Sequence, residues 1–479
     1  MSNFHMNVVK LVSGSVIAQV FSFLLIPIIA RIYGPENFGI LQLFTSISGI
    51  IAVISCFSYQ FSIMLPKKEE DSANIFVLCV ALTAITSVIC GFMSILFGDH
   101  IGRVLNTPQI SNYLILLPII VFLNGIFFVM NYWLSRRLKF GIISVSNVSN
   151  SAISKLAQIY SSFVIISPAG LISGLIGGYV IANLVMLREM KKDQFLFRHI
   201  SIQRMRELAI RYKEFPLYSS WSIVANAISI QVPSFMLAFF YSTTIVGYYS
   251  LANMAVNLPM GLMGSAIGQV FFQKASEQKN QSGIVKDIVS DTHKKLISIG
   301  IFPMILLMIL SEKIFGLIFG AEWSISGIYV KILVPWLFLV FISSPLSTLF
   351  SVLEKQEVGL FFNLTLLISR IFALYIGGYY GGPVFAMTLF SATGIVFWGW
   401  MNMYLLKISN VELKESFYVL IKYLLMAFIV SLPVILTNYL ELPISILLTV
   451  TGISTTFYYL IIIYEDANLR NELFNFMRG

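Results

Sequence analysis

The sequence predicts an all-α polytopic membrane protein with about 14 transmembrane helices. Three observations carry this. Hydrophobic residues fill 57% of the 479 positions and charged residues only 11%, where a soluble globule carries about a quarter charged residues. Mean hydropathy is +0.85. Apolar runs of roughly 20 residues, the length that crosses a bilayer, recur from end to end. The runs are continuous rather than alternating, so helices are what satisfies their backbone in lipid.

In chain order the spans fall near 8–30, 37–61, 74–97, 110–134, 143–166, 168–187, 216–240, 244–271, 296–318, 325–352, 357–378, 382–405, 416–437 and 442–464. The first is too long for a signal-peptide core and ends in Arg31, so it reads as a retained helix. The fifth and sixth are divided only by Ser167-Pro168-Ala169-Gly170. Pro27, Pro118, Pro233, Pro259, Pro303, Pro335 and Pro345 fall within spans and offer bending points, or packing kinks. Cys56, Cys79 and Cys90 sit in apolar segments without metal-like spacing and read as small core residues.

Charge sets the orientation. Of the 31 lysines and arginines, only Arg31, Arg103, Lys313 and Lys331 fall on one side, and Lys155 and Arg370 fall within spans. All the others share the opposite side, which the positive-inside rule makes cytoplasmic. Both termini are then cytoplasmic, as an even span count requires. The net charge of +9 is loop charge suited to anionic headgroups and needs no nucleic acid.

The longest hydrophilic stretch divides the spans into six and eight. The expected organisation is an N-terminal six-helix lobe (1–188), a cytoplasmic amphipathic linker (189–215), a second six-helix lobe (216–406), and two extra helices with a cytoplasmic tail (407–479). In the linker Ile202, Met205, Leu208, Ala209 and Tyr212 fall at helical spacing, as in a basic helix lying on the inner membrane face.

Catalysis finds little support. No phosphate-binding G-x-x-x-x-G-K-[ST] occurs. The four histidines, His5, His100, His199 and His293, lie outside the predicted spans and form no ligand cluster. The external loops are short, and their carboxylates form no evident acid–base pair. The expectation is a protein that is not an enzyme and that uses no cofactor or metal.

The two halves resemble each other. S-G-S-V-I-A-Q leads to Pro27, Tyr33 and Gly39, while S-S-W-S-I-V-A-N leads to Pro233, Tyr241 and Gly247, with equal Ser-to-Pro intervals. Lys155 lies in the fifth span and Arg370 in the fifth span of the second half. Repeated halves with a site between them are a transporter plan. An intramembrane cation costs about 2.5–3.5 kcal/mol even on the lenient insertion scale. Lys155 shares a helix face with Asn147, Ser151, Ser154, Gln158 and Ser162, and Arg370 shares one with Asn363. No acid lies deep in a span, and Lys155 is too central to snorkel. Both cations therefore read as lining a water-filled cavity that wants an anion, with phosphate the obvious candidate. Gln60, Asn253 and Asn257 are further polar positions within spans, suited either to interhelix hydrogen bonds or to sugar hydroxyls.

A family resemblance rests on I-P-I-I-A-R-I-Y-G-P-E-N-F-G-I-L (Ile26 to Leu41), M-L-P-K-K-E-E-D-S-A (Met64 to Ala73), R-Y-K-E-F-P-L-Y-S (Arg211 to Ser219), the run from Gly247 to Glu277, and F-G-A-E-W (Phe319 to Trp323). These motifs resemble Wzx-type oligosaccharide flippases of the multidrug/oligosaccharidyl-lipid/polysaccharide exporter superfamily. The resemblance implies two six-helix lobes in a V around a central cavity, plus two C-terminal helices, in the bacterial plasma (inner) membrane. It implies movement of an undecaprenyl-pyrophosphate-linked oligosaccharide, such as an O-antigen, capsule or similar repeat unit of lipopolysaccharide-type assembly. Expected partners are that lipid, membrane lipids and other polysaccharide-assembly membrane proteins. Lys155 and Arg370 would then hold the pyrophosphate, and Arg31 is a gate contact or an interfacial anchor. Relatives often carry Tyr-Glu before the L-P-K motif. Here Tyr59-Gln60 stands instead, which puts ion coupling through that acid in question. The rivals are a multidrug cation antiporter of the same superfamily, a membrane polysaccharide polymerase or lipid-linked glycosyltransferase, and a non-transporting scaffold.

Overall fold

The computed structural model describes residues 2–353 and 355–465. The expected cytoplasmic tail with Arg470 and Arg478 lies outside the described residues. The long elements are α1 (Ser2–Ile54), α2 (Glu69–Val104), α3 (Leu117–Arg136), α4 (Phe140–Ser162), α5 (Pro168–Met190), α6 (Ile202–Arg211), α7 (Ser220–Phe240), α8 (Thr243–Ser282), α9 (Lys286–Phe319), α10 (Ser324–Ser343), α11 (Gln356–Tyr380), α12 (Pro383–Ile408), α13 (Leu413–Tyr439) and α14 (Ile444–Glu465).

Among the described residues, 11 helices are long and apolar enough to cross a membrane. The expectation of about 14 spans differs at three places. The first two expected spans are one element, α1, broken at Gly34, whose φ of 69° suits a residue without Cβ. α4 and α8 are helical but fall outside the 11. In α4 the asparagines, serines, Lys155 and Gln158 dilute the apolar content. Pro118 begins α3 and Pro345 begins a short 3-10 turn, so neither bends a helix, whereas Pro27, Pro233, Pro303 and Pro335 lie inside helices.

The chain forms two compact units. The first comprises 1–250 with 318–322. Its boundary falls after α7, the helix expected to open the second lobe. Side chains explain this. Gln231 Oε1 accepts from Ser46 Oγ at 2.7 Å and from Gln42 Nε2 at 3.4 Å, and Ser220 Oγ donates to Ser58 Oγ at 3.0 Å. These bonds tie α7 to α1 and to the turn that follows it. One core of this unit gathers Phe76, Trp133, Met186, Leu196 and Leu208.

That core includes the linker. Arg204 Nε and Nη2 reach the two oxygens of Asp71 at 2.8 Å each. Asn74 Nδ2 donates to His199 O at 3.2 Å, and its Oδ1 accepts from Ser201 N at 2.9 Å. Tyr59 Oη donates to Ala209 O at 3.0 Å. Leu208 is buried in protein, while Ile202 and Ile210 are exposed. The amphipathic helix is therefore docked on the first unit as well as offering an apolar edge outward. Asp71, and then Glu207, raise the pKa of the Arg204 guanidinium and keep it charged. Asp193 likewise raises that of Arg137, which it meets at 2.6 Å.

The second unit comprises 251–317 and 323 onward. Its core gathers Phe271, Leu349, Phe362 and Leu405. The terminal pair is anchored to α9. Tyr458 stacks on Phe302 with centroids 4.4 Å apart and donates to Ser298 O at 2.9 Å, and Tyr459 donates to Ile299 O at 3.1 Å.

Candidate functional site

The polar face of α4 is divided by its neighbour α5. Gly170, Gly174 and Gly178 recur at a spacing of four, the small-residue stripe that lets membrane helices approach closely. A Cβ on Gly174 would lie 2.5 Å from Gln158 Cγ and 2.8 Å from Ser154 O. A Cβ on Gly178 would lie 2.6 Å from Asn150 Oδ1. Ser154 and Gln158 are consequently buried in the α4–α5 contact.

Gln158 is fully engaged there. Its Nε2 donates to Leu171 O at 3.0 Å, and its Oε1 accepts from Lys155 Nζ at 3.3 Å. Its backbone carbonyl accepts from Tyr33 Oη at 2.8 Å. Tyr33 Oη also lies 3.1 Å from Ser161 Oγ, which donates to Gly170 O at 3.0 Å. Lys155 is half-buried at the edge of this network, and Asn147, two turns away, is also half-buried. Gln158 thus holds the ammonium in place from behind, where the sequence expectation put both side chains on one open surface. The glycine spacing of α5 was the sequence signal for this division.

In the second unit Arg370 is 9% exposed. Its guanidinium carbon lies 5.0 Å from the Trp336 ring and 5.2 Å from the Phe390 ring, and these rings meet edge to face at 5.1 Å. A Cβ on Gly394 would lie 2.5 Å from Trp336 Cδ1, so glycine there admits the indole. α10, α11 and α12 therefore build an aromatic bracket around the cation, worth about 2 kcal/mol when desolvated. Sequence reasoning missed Trp336 and Phe390, because nothing in their local pattern distinguishes them from core aromatics.

The other expected positions are dispersed. Gln60 is 6% exposed and accepts from Cys56 Sγ at 2.9 Å. Asn257 Nδ2 donates to Asn253 Oδ1 at 2.7 Å, an intrahelical pair on α8. Asn363 is exposed on α11. Arg31 is exposed, and its Nε donates to Ile318 O at 2.9 Å, joining α1 to the segment 318–322. Gly34 faces the Glu322 carboxylate in the same place. Among the described residues, no group of His, Cys, Asp and Glu is arranged to hold a metal ion.

Many apolar helices, with polar and cationic side chains set inside them and prolines within several, define a polytopic membrane protein. Residues 28–326, more than half of the chain, match the family described as "Polysaccharide biosynthesis protein", and the chain belongs to that family. It is 24% identical over 428 residues to the lipopolysaccharide biosynthesis protein WzxC of Escherichia coli, covering 86% of this chain and 82% of that one. It is 23% identical over 317 residues to the succinoglycan biosynthesis transport protein ExoT of Rhizobium meliloti, covering 63% of this chain and spanning only 60% of that relative's length. In fold the chain resembles solved membrane transport proteins. It is similar to the lipid II flippase MurJ in an inward closed conformation, with a TM-score of 0.67 at 18% identity, covering 93% of this chain and 99% of that one. It is also similar to an inward-facing multidrug resistance MATE transporter, with a TM-score of 0.66 at 16% identity, covering 82% of this chain and 96% of that one.

Proposed function

We propose that this chain is a flippase that moves an undecaprenyl-pyrophosphate-linked oligosaccharide from the inner to the outer leaflet of a bacterial plasma membrane. The observation that carries the reading is Lys155, a cation set inside an apolar bundle and held by Gln158, in a chain whose family is described as "Polysaccharide biosynthesis protein". The lipid tail stays in the bilayer, while the pyrophosphate and sugars enter a cationic cavity. Lys155 and Arg370 hold the pyrophosphate there, with Asn147, Asn363, Asn253 and Asn257 available to sugar hydroxyls. Arg31 closes the outer side. Binding that is stronger in one state than in the other biases alternating access. Counting α1 as two spans and adding α4 and α8 restores 14 spans with both termini cytoplasmic. Neither ATP nor covalent chemistry is required.

The fold likeness to a MATE transporter favours a second reading, a multidrug cation antiporter. That activity wants a buried carboxylate, and Gln60 stands where relatives of the flippase type often carry an acid. The test is deletion of the gene in its host, with lipid-linked saccharides quantified on each face of the membrane and add-back of wild type, Lys155→Ala and Arg370→Ala. Inner-face accumulation rescued by wild type alone supports the reading. Rescue by both variants removes the cationic site, and a normal distribution in the deletion, with no redundant exporter, removes the flippase.

A further inference from the structure

The second unit holds two adjoining cavities beside the cation-rich ends of α9 and α13. One, of 440 Å³, is lined by Ser290, His293, Lys294, Lys414 and Tyr418. The other, of 420 Å³, runs between α9, α10, α12 and α13 and is walled mainly by side chains such as Leu339, Ile342, Met403 and Leu420. His293, Lys414 and Ser416 line both, so the two form one continuous site with a cationic mouth and an apolar interior.

The polar floor is built. His293 is 4% exposed, and its Nε2 lies 3.1 and 3.2 Å from the two amide atoms of Asn402, which also lines the apolar part. Lys294 and Lys414 are exposed, and among the described residues neither forms an ion pair. Glu415 is the carboxylate at the mouth. Phe417 and Tyr418 are exposed at the start of α13, where aromatic side chains sit at headgroup level.

We propose that this site binds one anionic phospholipid of the surrounding membrane, its phosphate between Lys294 and Lys414 and an acyl chain in the apolar cavity. A basic pocket between helix ends is a recurring headgroup site. Inorganic phosphate would use the lysines but leave the apolar interior empty. A zwitterionic lipid would bring its own ammonium against two lysines. The buried His293–Asn402 pair offers neutral hydrogen bonds to the glycerol and ester oxygens that lie between phosphate and chain. The inference is independent of the flippase reading, because it concerns a lipid that stays in its leaflet.

The test is native mass spectrometry of the full chain from detergent, titrated with phosphatidylglycerol and with phosphatidylcholine of the same acyl chains. The variants are the double substitution K294Q/K414Q, which removes the mouth charge, and Met403→Trp, which fills the apolar interior. Thermal unfolding checks that both fold. The expected result is one phosphatidylglycerol retained per chain, bound about tenfold more tightly than phosphatidylcholine, with that preference lost in K294Q/K414Q and retention lost in Met403→Trp. Equal retention of the two lipids, or an unchanged preference in K294Q/K414Q, overturns the proposal. Displacement by millimolar inorganic phosphate would make it a phosphate site. Displacement by undecaprenyl phosphate at lower concentration than phosphatidylglycerol would make it a substrate site. Either outcome also overturns it.

Discussion

Gly39 and Gly247 pack backbone against backbone. A Cβ on Gly39 would fall on the Thr243 carbonyl and 3.1 Å from Gly247 N, and a Cβ on Gly247 would fall on the Pro35 carbonyl and 3.2 Å from Gly39 N. The contact is reciprocal, as two equivalent positions of a repeated element would make it. The sequence pairs the same two glycines as the ends of its matching Ser-to-Gly runs.

Because backbone blocks each added methyl, Gly39→Ala and Gly247→Ala are expected to separate α1 from α8. Overpacking of this kind costs about 1–3 kcal/mol. Thermal unfolding in nanodiscs should fall by several degrees for each, and spin labels flanking the contact should report a longer distance. An unchanged distance would mean that the helices already part in the membrane.

Gln158→Leu keeps the volume of the side chain but removes the acceptor for Lys155 Nζ and the donor to Leu171 O. Saccharide translocation is expected to fall about tenfold, with the protein still folded, since losing hydrogen bonds to a charged group costs about 1.5–3 kcal/mol. Gly174→Val, which drives a branched side chain into Gln158 and Ser154 O, should instead lower stability. If Gln158→Leu transports normally, Lys155 needs no positioning.

Arg370→Lys retains the charge but not the planar stacking between Trp336 and Phe390. It is expected to give partial translocation, and Arg370→Met none, while Trp336→Leu should resemble Arg370→Lys. Add-back measurements of lipid-linked saccharide on each leaflet rank the four proteins. Full activity in Arg370→Met would make the cation a purely structural group.

Asp71→Asn weakens the two-pronged contact with Arg204 and should loosen α6 from the first unit. Limited trypsin cleavage between Arg198 and Lys213 is expected to accelerate several-fold, while Leu208→Ala, which empties part of a core, should accelerate it and lower stability as well. An unchanged cleavage pattern in both would show that packing elsewhere holds the linker.

Much of this was legible in the chain. Apolar run length and lysine placement are properties of single residues summed over a window, so helices, their approximate ends and the charge asymmetry could be read directly. The break at Gly34 lay in the Gly34-Pro35 dipeptide, although the sequence expectation treated it as a boundary between spans. The polar stripe of α4 was also visible, because helical spacing is local.

What the tertiary structure alone decided was which side of each polar residue meets protein. Gln158 faces Leu171 because the glycines of α5 admit it, and Arg370 faces Trp336 and Phe390 from two other helices. Leu208, placed by helical spacing on the same stripe as Ile202, is buried while Ile202 is not. Hydrophobicity tells a residue to leave water, but lipid and protein satisfy it alike. The choice between them depends on partners distant in the chain, brought close only by the packed fold.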